Sequence, residues 1–315
     1  VLINKIDVSG QNPTAVSELV DFLVRYLGRQ GSRPLTAQTI ASDLGVDSLF
    51  GTEHVQAVGN LVDDAFAERP EYSGLIEGLW LRFVAVAGSG GSGVEFDMAN
   101  YSDELYLVTL SKLVCANVLE RQALRSSDAV LKCILDGSYF RSLGLANLVE
   151  YDYFGWLAES PYVEKLLPAA GLIQEDLCAY DFENLPPEDL FGCLMAQLGR
   201  RSHRLLLGQE FTPSWLCDAM AKKTLNSLPE DESPRLVDMC CGSGGMVVAV
   251  CRRYSERLKE SGLQLGEPAG LARLTDAITG FDIDPLAVLL AKVNWAVTNR
   301  DWLTEGSRVS IPVYH

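Results

Sequence analysis

Apolar residues recur at helical spacing through most of positions 1–200. In 14–30, Val16, Leu19, Val20, Leu23, Val24 and Leu27 fall on one stripe, which predicts an amphipathic helix. The stretch 34–46 reads as a short helix closed by Gly45. Two helices joined by a glycine-bearing turn make either a helix-turn-helix or a pair of packed bundle helices. A third helix is expected near 53–68, and 75–86 is apolar enough for a buried helix or strand. The run Gly88-Ser-Gly-Gly-Ser-Gly93 is not followed by a helix start, so it reads as a flexible linker rather than a phosphate cradle.

Helical spacing resumes at 104–124 with Leu107, Leu110, Leu113, Val114 and Val118. Residues 126–135 form a further helix, capped by Ser126 or Ser127 and stopped at Gly137. The six aromatics in 139–157 read as core within continuing helix. Two helices are expected in 161–200, the second over 186–198, opening on a proline pair with acid in its first turn.

The pattern changes after position 205. Leu236 and Val237 close a short apolar strand, Asp238 sits at its end, Gly242-Ser243-Gly244-Gly245 turns, and 246–254 opens a helix. Such a turn brings backbone close to a ligand and leaves helix N–H groups free to face it. A second strand, 278–284, ends in acid, with Pro285 at the first position of the next helix. An acid at that strand tip accepts hydrogen bonds from a ribose diol, which makes Asp282 the candidate and leaves Asp284 to cap the helix. The nicotinamide-dinucleotide fingerprint fits poorly. It needs G-x-G-x-x-G and an acid about 20 residues on, whereas the glycines here are 242, 244 and 245 and the acid is at 282.

Charge refines this picture. The chain has 26 Lys+Arg against 42 Asp+Glu, net −16. Residues 1–200 hold 13 and 28 of these, whereas 201–315 hold 13 and 14, so the acid belongs to the helical part. A basic cluster, Arg200, Arg201, His203 and Arg204, marks the junction as a solvated helix end or a phosphate or partner contact. Eight cysteines without C-x-x-C spacing, beside three histidines, predict no metal site and mostly buried free thiols. Cys240 and Cys241 are expected to pack as small hydrophobes. No apolar window reaches a membrane span and no secretory signal is present, so the expected location is cytoplasmic. The first residue is Val1, which reads as a piece of something longer.

Three segments in order, GQEFTP (208–213), VDMCCGSGG (237–245) and GFDIDPLAVLLAKVN (280–294), resemble the S-adenosylmethionine-dependent DNA amino-methyltransferases. The resemblance is to the modification subunits of type I restriction systems and the fused type IIG enzymes. It covers about 205–300 closely and 100–160 loosely, and it departs from the family at Met239, where proline is usual. It implies that Phe211 and Thr212 contact the methionine moiety or its carboxylate. Asp238 and Cys240 would line the methionine end, with Gly242 and Gly244 giving backbone access. Asp282 would hold both ribose hydroxyls and Ile283 would pack on the adenine.

The family's catalytic [DNS]-P-P-[YFW] motif is absent: Asn184-Leu-Pro-Pro187 carries an inserted leucine and Ser160-Pro-Tyr162 lacks the second proline. No catalytic residue is therefore assigned. The expected fold is α plus α/β: an acidic, mostly helical N-terminal domain, then the start of a Rossmann-like, seven-stranded methyltransferase domain. The division is 1–87 helical, 88–98 linker, 99–204 helical and 205–315 cofactor-binding, with the third strand beginning in 308–315. The implied function is DNA adenine-N6 methylation in restriction-modification or phage defence. Double-stranded DNA would be held mainly by segments outside this chain, and a protein partner could dock on the acidic helical domain. The competing readings are a non-catalytic methyltransferase-like assembly module and a protein-glutamine or RNA methyltransferase.

Overall fold

The computed structural model describes residues 23, 31–87, 97–125, 127–150, 154–199, 212–229 and 233–315. The expected helix over 14–30, except Leu23, the Gly/Ser run, the basic cluster and Phe211 lie outside these residues.

A two-residue parallel pair, β1 (Arg33–Pro34) with β2 (Tyr180–Asp181), joins the start and end of the helical part. Between them run α1 (Ala37–Leu44), α2 (Leu49–Glu68), α3 (Pro70–Ala87), α4 (Met98–Leu119), α5 (Asp128–Leu135), α6 (Ser138–Ser142) and α7 (Tyr162–Leu177). Residues 75–86 are thus helix rather than strand. α8 (Gly192–Gly199) follows β2. No helix among the described residues is long and apolar enough to cross a membrane.

α4 departs from the expected single stripe. It starts at Met98, capped by the Asp97 carboxylate, and ends at Leu119 instead of 124. Every residue from Asn100 to Val118 is buried, because α2, α5, α7 and a later helix over Pro285–Thr298 surround it. Its polar side chains are bonded internally: Lys112 Nζ donates to the Leu135 carbonyl at 2.8 Å, and Asn117 and Gln174 exchange amide bonds.

The expected helix over 139–157 is broken. After the five residues of α6, Gly144 takes φ +82°, where a Cβ would stand 1.7 Å from the Ser307 carbonyl oxygen. The backbone then runs beside 309–311: Val309 N–H donates to Gly144 O, Ala146 N–H to Val309 O, and Asn147 bonds both polar backbone atoms of Ile311. Phe140, Phe154 and Trp156 are core, as their aromatic character suggests.

The α/β part comprises α9 (Ser214–Asn226), β3 (Leu236–Asp238), α10 (Gly245–Glu260), α11 (Pro268–Ala277), β4 (Ile278–Phe281), α12 (Pro285–Thr298) and β5 (Val313–Tyr314). The three strands form a parallel sheet in the order β3-β4-β5, with Asp238 opposite Gly280 and Phe281 opposite Tyr314. Parallel neighbours need crossovers, here supplied by α10–α11 and by α12. Among the described residues this sheet has three strands, the third falling within 308–315, and β3 pairs on one side only. α12 packs on α4 and on α10, and everything from Pro285 to Val297 is buried. The buried apolar residues form one continuous cluster from Leu35 to Val313.

Candidate functional site

The carboxyl ends of β3 and β4 lie side by side, which is where open α/β sheets hold ligands. Their local chemistry follows from the residues. Asp238 at the end of β3 accepts the Cys240 N–H at 3.2 Å and shapes the exit from the strand. Gly242 (φ +54°) and Gly244 (φ +95°) then occupy left-handed backbone conformations that glycine adopts freely. Gly244 directly precedes α10, and a Cβ there would lie 3.1 Å from both Cα and Cβ of Ala291 in α12. At the end of β4, Asp284 accepts the Leu286 N–H and caps α12, with Pro285 at the first helical position.

Asp282 links the two strand ends. Its Oδ2 accepts the Gly242 N–H at 2.8 Å and its Oδ1 the Asp284 N–H at 2.9 Å. A carboxylate has about four acceptor sites, so two remain open to a ligand. Burial pushes the Asp282 carboxyl above the ordinary aspartate value; the backbone N–H groups pull it back and the neighbouring Asp284 adds to the rise. Ile283 is 45% exposed beside it, its carbonyl accepting from His315 Nε2 at 2.9 Å.

A cleft of about 890 Å³ runs from this region along β3 and α9 to the segment 186–193. Thr212, Asp238 and Cys240 line it. Gly242, Gly244, Asp282 and Ile283 do not line it, although Cys241, Ser243 and Gly245 of the same turn do; Phe211 is outside the described residues. Met239, in place of the usual proline, is 68% exposed, and Val237 of β3 is 62% exposed.

The cysteines divide. Cys241 is buried and its Sγ approaches Gly280, whereas Cys240 is exposed at the cleft rather than packed as a small hydrophobe. Cys133 is exposed as well. Burial pushes the thiols of Cys193, Cys217 and Cys241 up, and that of Cys251 to about 12. These four side chains are therefore neutral thiols near pH 7 rather than nucleophilic thiolates. Among the described residues no group of three or more His, Cys, Asp or Glu side chains could hold a metal ion.

One group at the site escaped the sequence reading. The helix expected over 186–198 begins only at Gly192, because Asp189 folds back and accepts the Phe191 and Gly192 N–H groups at 2.9 and 3.0 Å. The same carboxylate accepts Ser243 Oγ, from the glycine turn, and Asn294 Nδ2, from α12. The signal in the sequence is an aspartate three residues before a glycine, an Asx cap, which places Asp189 ahead of the helix rather than within its first turn.

Residues 189–307 match the family model described as N-6 DNA Methylase, a match over less than half of the chain that begins at Asp189. Among solved structures, the chain is similar to a nuclease-deletion mutant of the Type ISP restriction-modification enzyme LlaGI in complex with a DNA substrate mimic. That similarity covers 95% of this chain and 22% of the other, at 13% identity and a TM-score of 0.39. The chain thus spans about a fifth of the length of that enzyme. No curated protein matches the chain.

Proposed function

We propose that 205–315 is the S-adenosylmethionine-binding part of a DNA amino-methyltransferase acting in restriction-modification or phage defence, with the N6 amine of adenine as acceptor. The observation that carries this reading is the Asp282 carboxylate bonded to Gly242 N–H at 2.8 Å. It puts an open double acceptor against a glycine turn within the segment matched to N-6 DNA methylases.

The donor set suits the cofactor. Asp282 has acceptor capacity for two ribose hydroxyls, Ile283 offers exposed apolar surface to the adenine, and Asp238 offers a carboxylate to the methionine ammonium. Thr212 and Cys240 line one cleft with Asp238, and Gly242 and Gly244, in the turn between that cleft and Asp282, allow close backbone approach. When bound, S-adenosylmethionine supplies a methyl group on a positively charged sulfur. The residues present here orient it and thereby contribute proximity; none is assigned to holding the target amine. Among the described residues β3 pairs on one side only, which suits further strands of a seven-stranded sheet. Double-stranded DNA would then be gripped mainly outside this chain, the acidic helical part facing solvent or a protein partner in the cytoplasm.

Calorimetric titration of the chain with S-adenosylmethionine tests the reading. One saturable site is expected, and no heat of binding would overturn it. Tritiated methyl transfer by the natural protein carrying this chain, offered duplex DNA, RNA and protein in parallel, is expected to label DNA; label on protein or RNA would favour the other methyltransferase classes.

The same titration has an expected pH dependence. The ionised form of Asp282 is the double acceptor, so affinity is full above the carboxyl's value and falls as pH drops through it. Burial sets that value above ordinary aspartate. The loss is therefore expected to begin at a higher pH than an exposed aspartate would give, and to vanish in Asp282→Asn.

A further inference from the structure

The strap 186–191 carries two adjacent acids that point to different parts of the molecule. Glu188 Oε1 accepts the N–H of Ala37, the first residue of α1, at 2.8 Å. Asp189 turns the other way, toward the glycine turn. Its Oδ2 accepts Ser243 Oγ at 2.5 Å, and its Oδ1 accepts Asn294 Nδ2 at 2.6 Å together with the two N–H groups that start α8. Asn294 closes the network: its Nδ2 also donates to the Ser243 carbonyl at 2.8 Å, and its Oδ1 accepts the Leu190 N–H at 3.2 Å. Ser243 and Asn294 are 2% and 1% exposed.

All four donors to Asp189 are neutral, and no cation pairs with it among the described residues. A buried carboxylate without a counter-charge is costly unless it is hydrogen-bonded, and here both oxygens are engaged, Oδ1 by three donors and Oδ2 by Ser243 Oγ. The network does not serve α8 alone, since the Phe191 and Gly192 N–H groups would suffice as a cap. The bonds to Ser243 and Asn294 instead fix the middle residue of a turn whose flanking glycines have φ +54° and +95°. Gly245, next in line, lies against the same carboxylate: a Cβ there would make an ordinary contact with Asp189 Oδ2 at 3.7 Å. The turn is thus held by Asp282 from the sheet and by Asp189 from the helical part.

We propose that Asp189 is a positioning residue for the glycine turn, through which the helical part sets the affinity of the cofactor site. This inference rests on the reading of that site as one for S-adenosylmethionine. A turn released from Ser243 would sample other backbone conformations, and cofactor binding would have to select the ordered one, weakening apparent affinity by its population.

The test combines calorimetry with amide hydrogen exchange on the full chain. Asp189→Ala and Ser243→Ala are each expected to weaken S-adenosylmethionine binding by about tenfold or more, and the double variant no further than the weaker single, because both break one link. Asp189→Asn keeps an oxygen for the cap and a donor for Ser243 Oγ, so it is expected to restore most of the affinity. Gln197→Ala, on α8 but donating to the Ala41 carbonyl of α1 and away from the cleft, is expected to lower thermal stability with affinity unchanged. In the ligand-free protein, amides 242–246 are expected to exchange faster in Asp189→Ala and Ser243→Ala than in wild type or Gln197→Ala. Unchanged affinity and unchanged exchange in Ser243→Ala and Asp189→Ala, with stability lost as in Gln197→Ala, would reduce Asp189 to a helix cap and overturn the proposal. If wild type binds no S-adenosylmethionine, the functional reading fails by itself, and the exchange rates still decide whether Asp189 holds the turn.

Discussion

Asp282→Ala is expected to weaken S-adenosylmethionine binding by about two to four orders of magnitude, the largest effect of any single substitution at the site. Hydrogen bonds to a charged acceptor contribute about 1.5–3 kcal/mol each, and two ribose hydroxyls on one carboxylate give about 3–6 kcal/mol. The substitution acts twice, because the Gly242 and Asp284 N–H groups lose their acceptor as well. Asp282 is only partly buried, so water can replace the missing oxygens at the two N–H groups, and the chain is expected to stay folded. Asp282→Asn retains one oxygen and should fall between wild type and alanine. Calorimetric affinities within threefold of wild type for the alanine variant, with an unchanged circular dichroism spectrum, would remove Asp282 from the site.

The largest stability effect is expected at Gly244→Val. Gly244 has φ +95°, which costs an L-residue about 1–2 kcal/mol. Its Cβ would also press at 3.1 Å on Cα and Cβ of Ala291. That contact cannot yield cheaply, because Ala291 belongs to a helix buried on all sides between α4 and α10. Overpacking against such a wall costs about 1–3 kcal/mol, giving roughly 2–5 kcal/mol in all. Gly262 provides the control: its φ is +94°, but a Cβ there meets nothing within 4 Å. Gly262→Ala should therefore show the backbone cost alone, about 1–2 kcal/mol. Urea midpoints would separate the two, and equal losses would mean that α12 does not confine the turn.

The parts of the site readable from the sequence are those in which a few consecutive residues determine their own backbone. The Gly242–Gly245 turn, Asp284 as cap and Pro285 at the first position of α12 all belong to this class. Each rests on φ preferences or a side chain reaching its own neighbourhood, so sequence distance and spatial distance coincide. Asp282 was readable for the same reason, as an acid closing an apolar strand.

The misread stretches failed where a distant segment outweighed local preference. Residues 139–157 look helical until the chain at 307–311 is laid beside Gly144–Asn147. α4 shows a stripe in sequence, but its opposite face is covered too, by α12 from the other end of the chain. The strap 186–191 reads as the first turn of a helix, but Asp189 caps the helix from outside while its carboxylate also takes donors from Ser243 and Asn294, 54 and 105 positions away.

The local chemistry of this protein is written in consecutive residues: where strands end, where backbone must turn left-handed, and which acid stands at the second strand tip. Tertiary packing alone brings Asp282 back to Gly242 and sets Asp189 of the helical part against the same turn. Those two features depend on contacts between residues 40 to 105 positions apart. Such contacts form only when the whole core closes, because the loop-closure entropy they cost is met by packing spread over the entire chain.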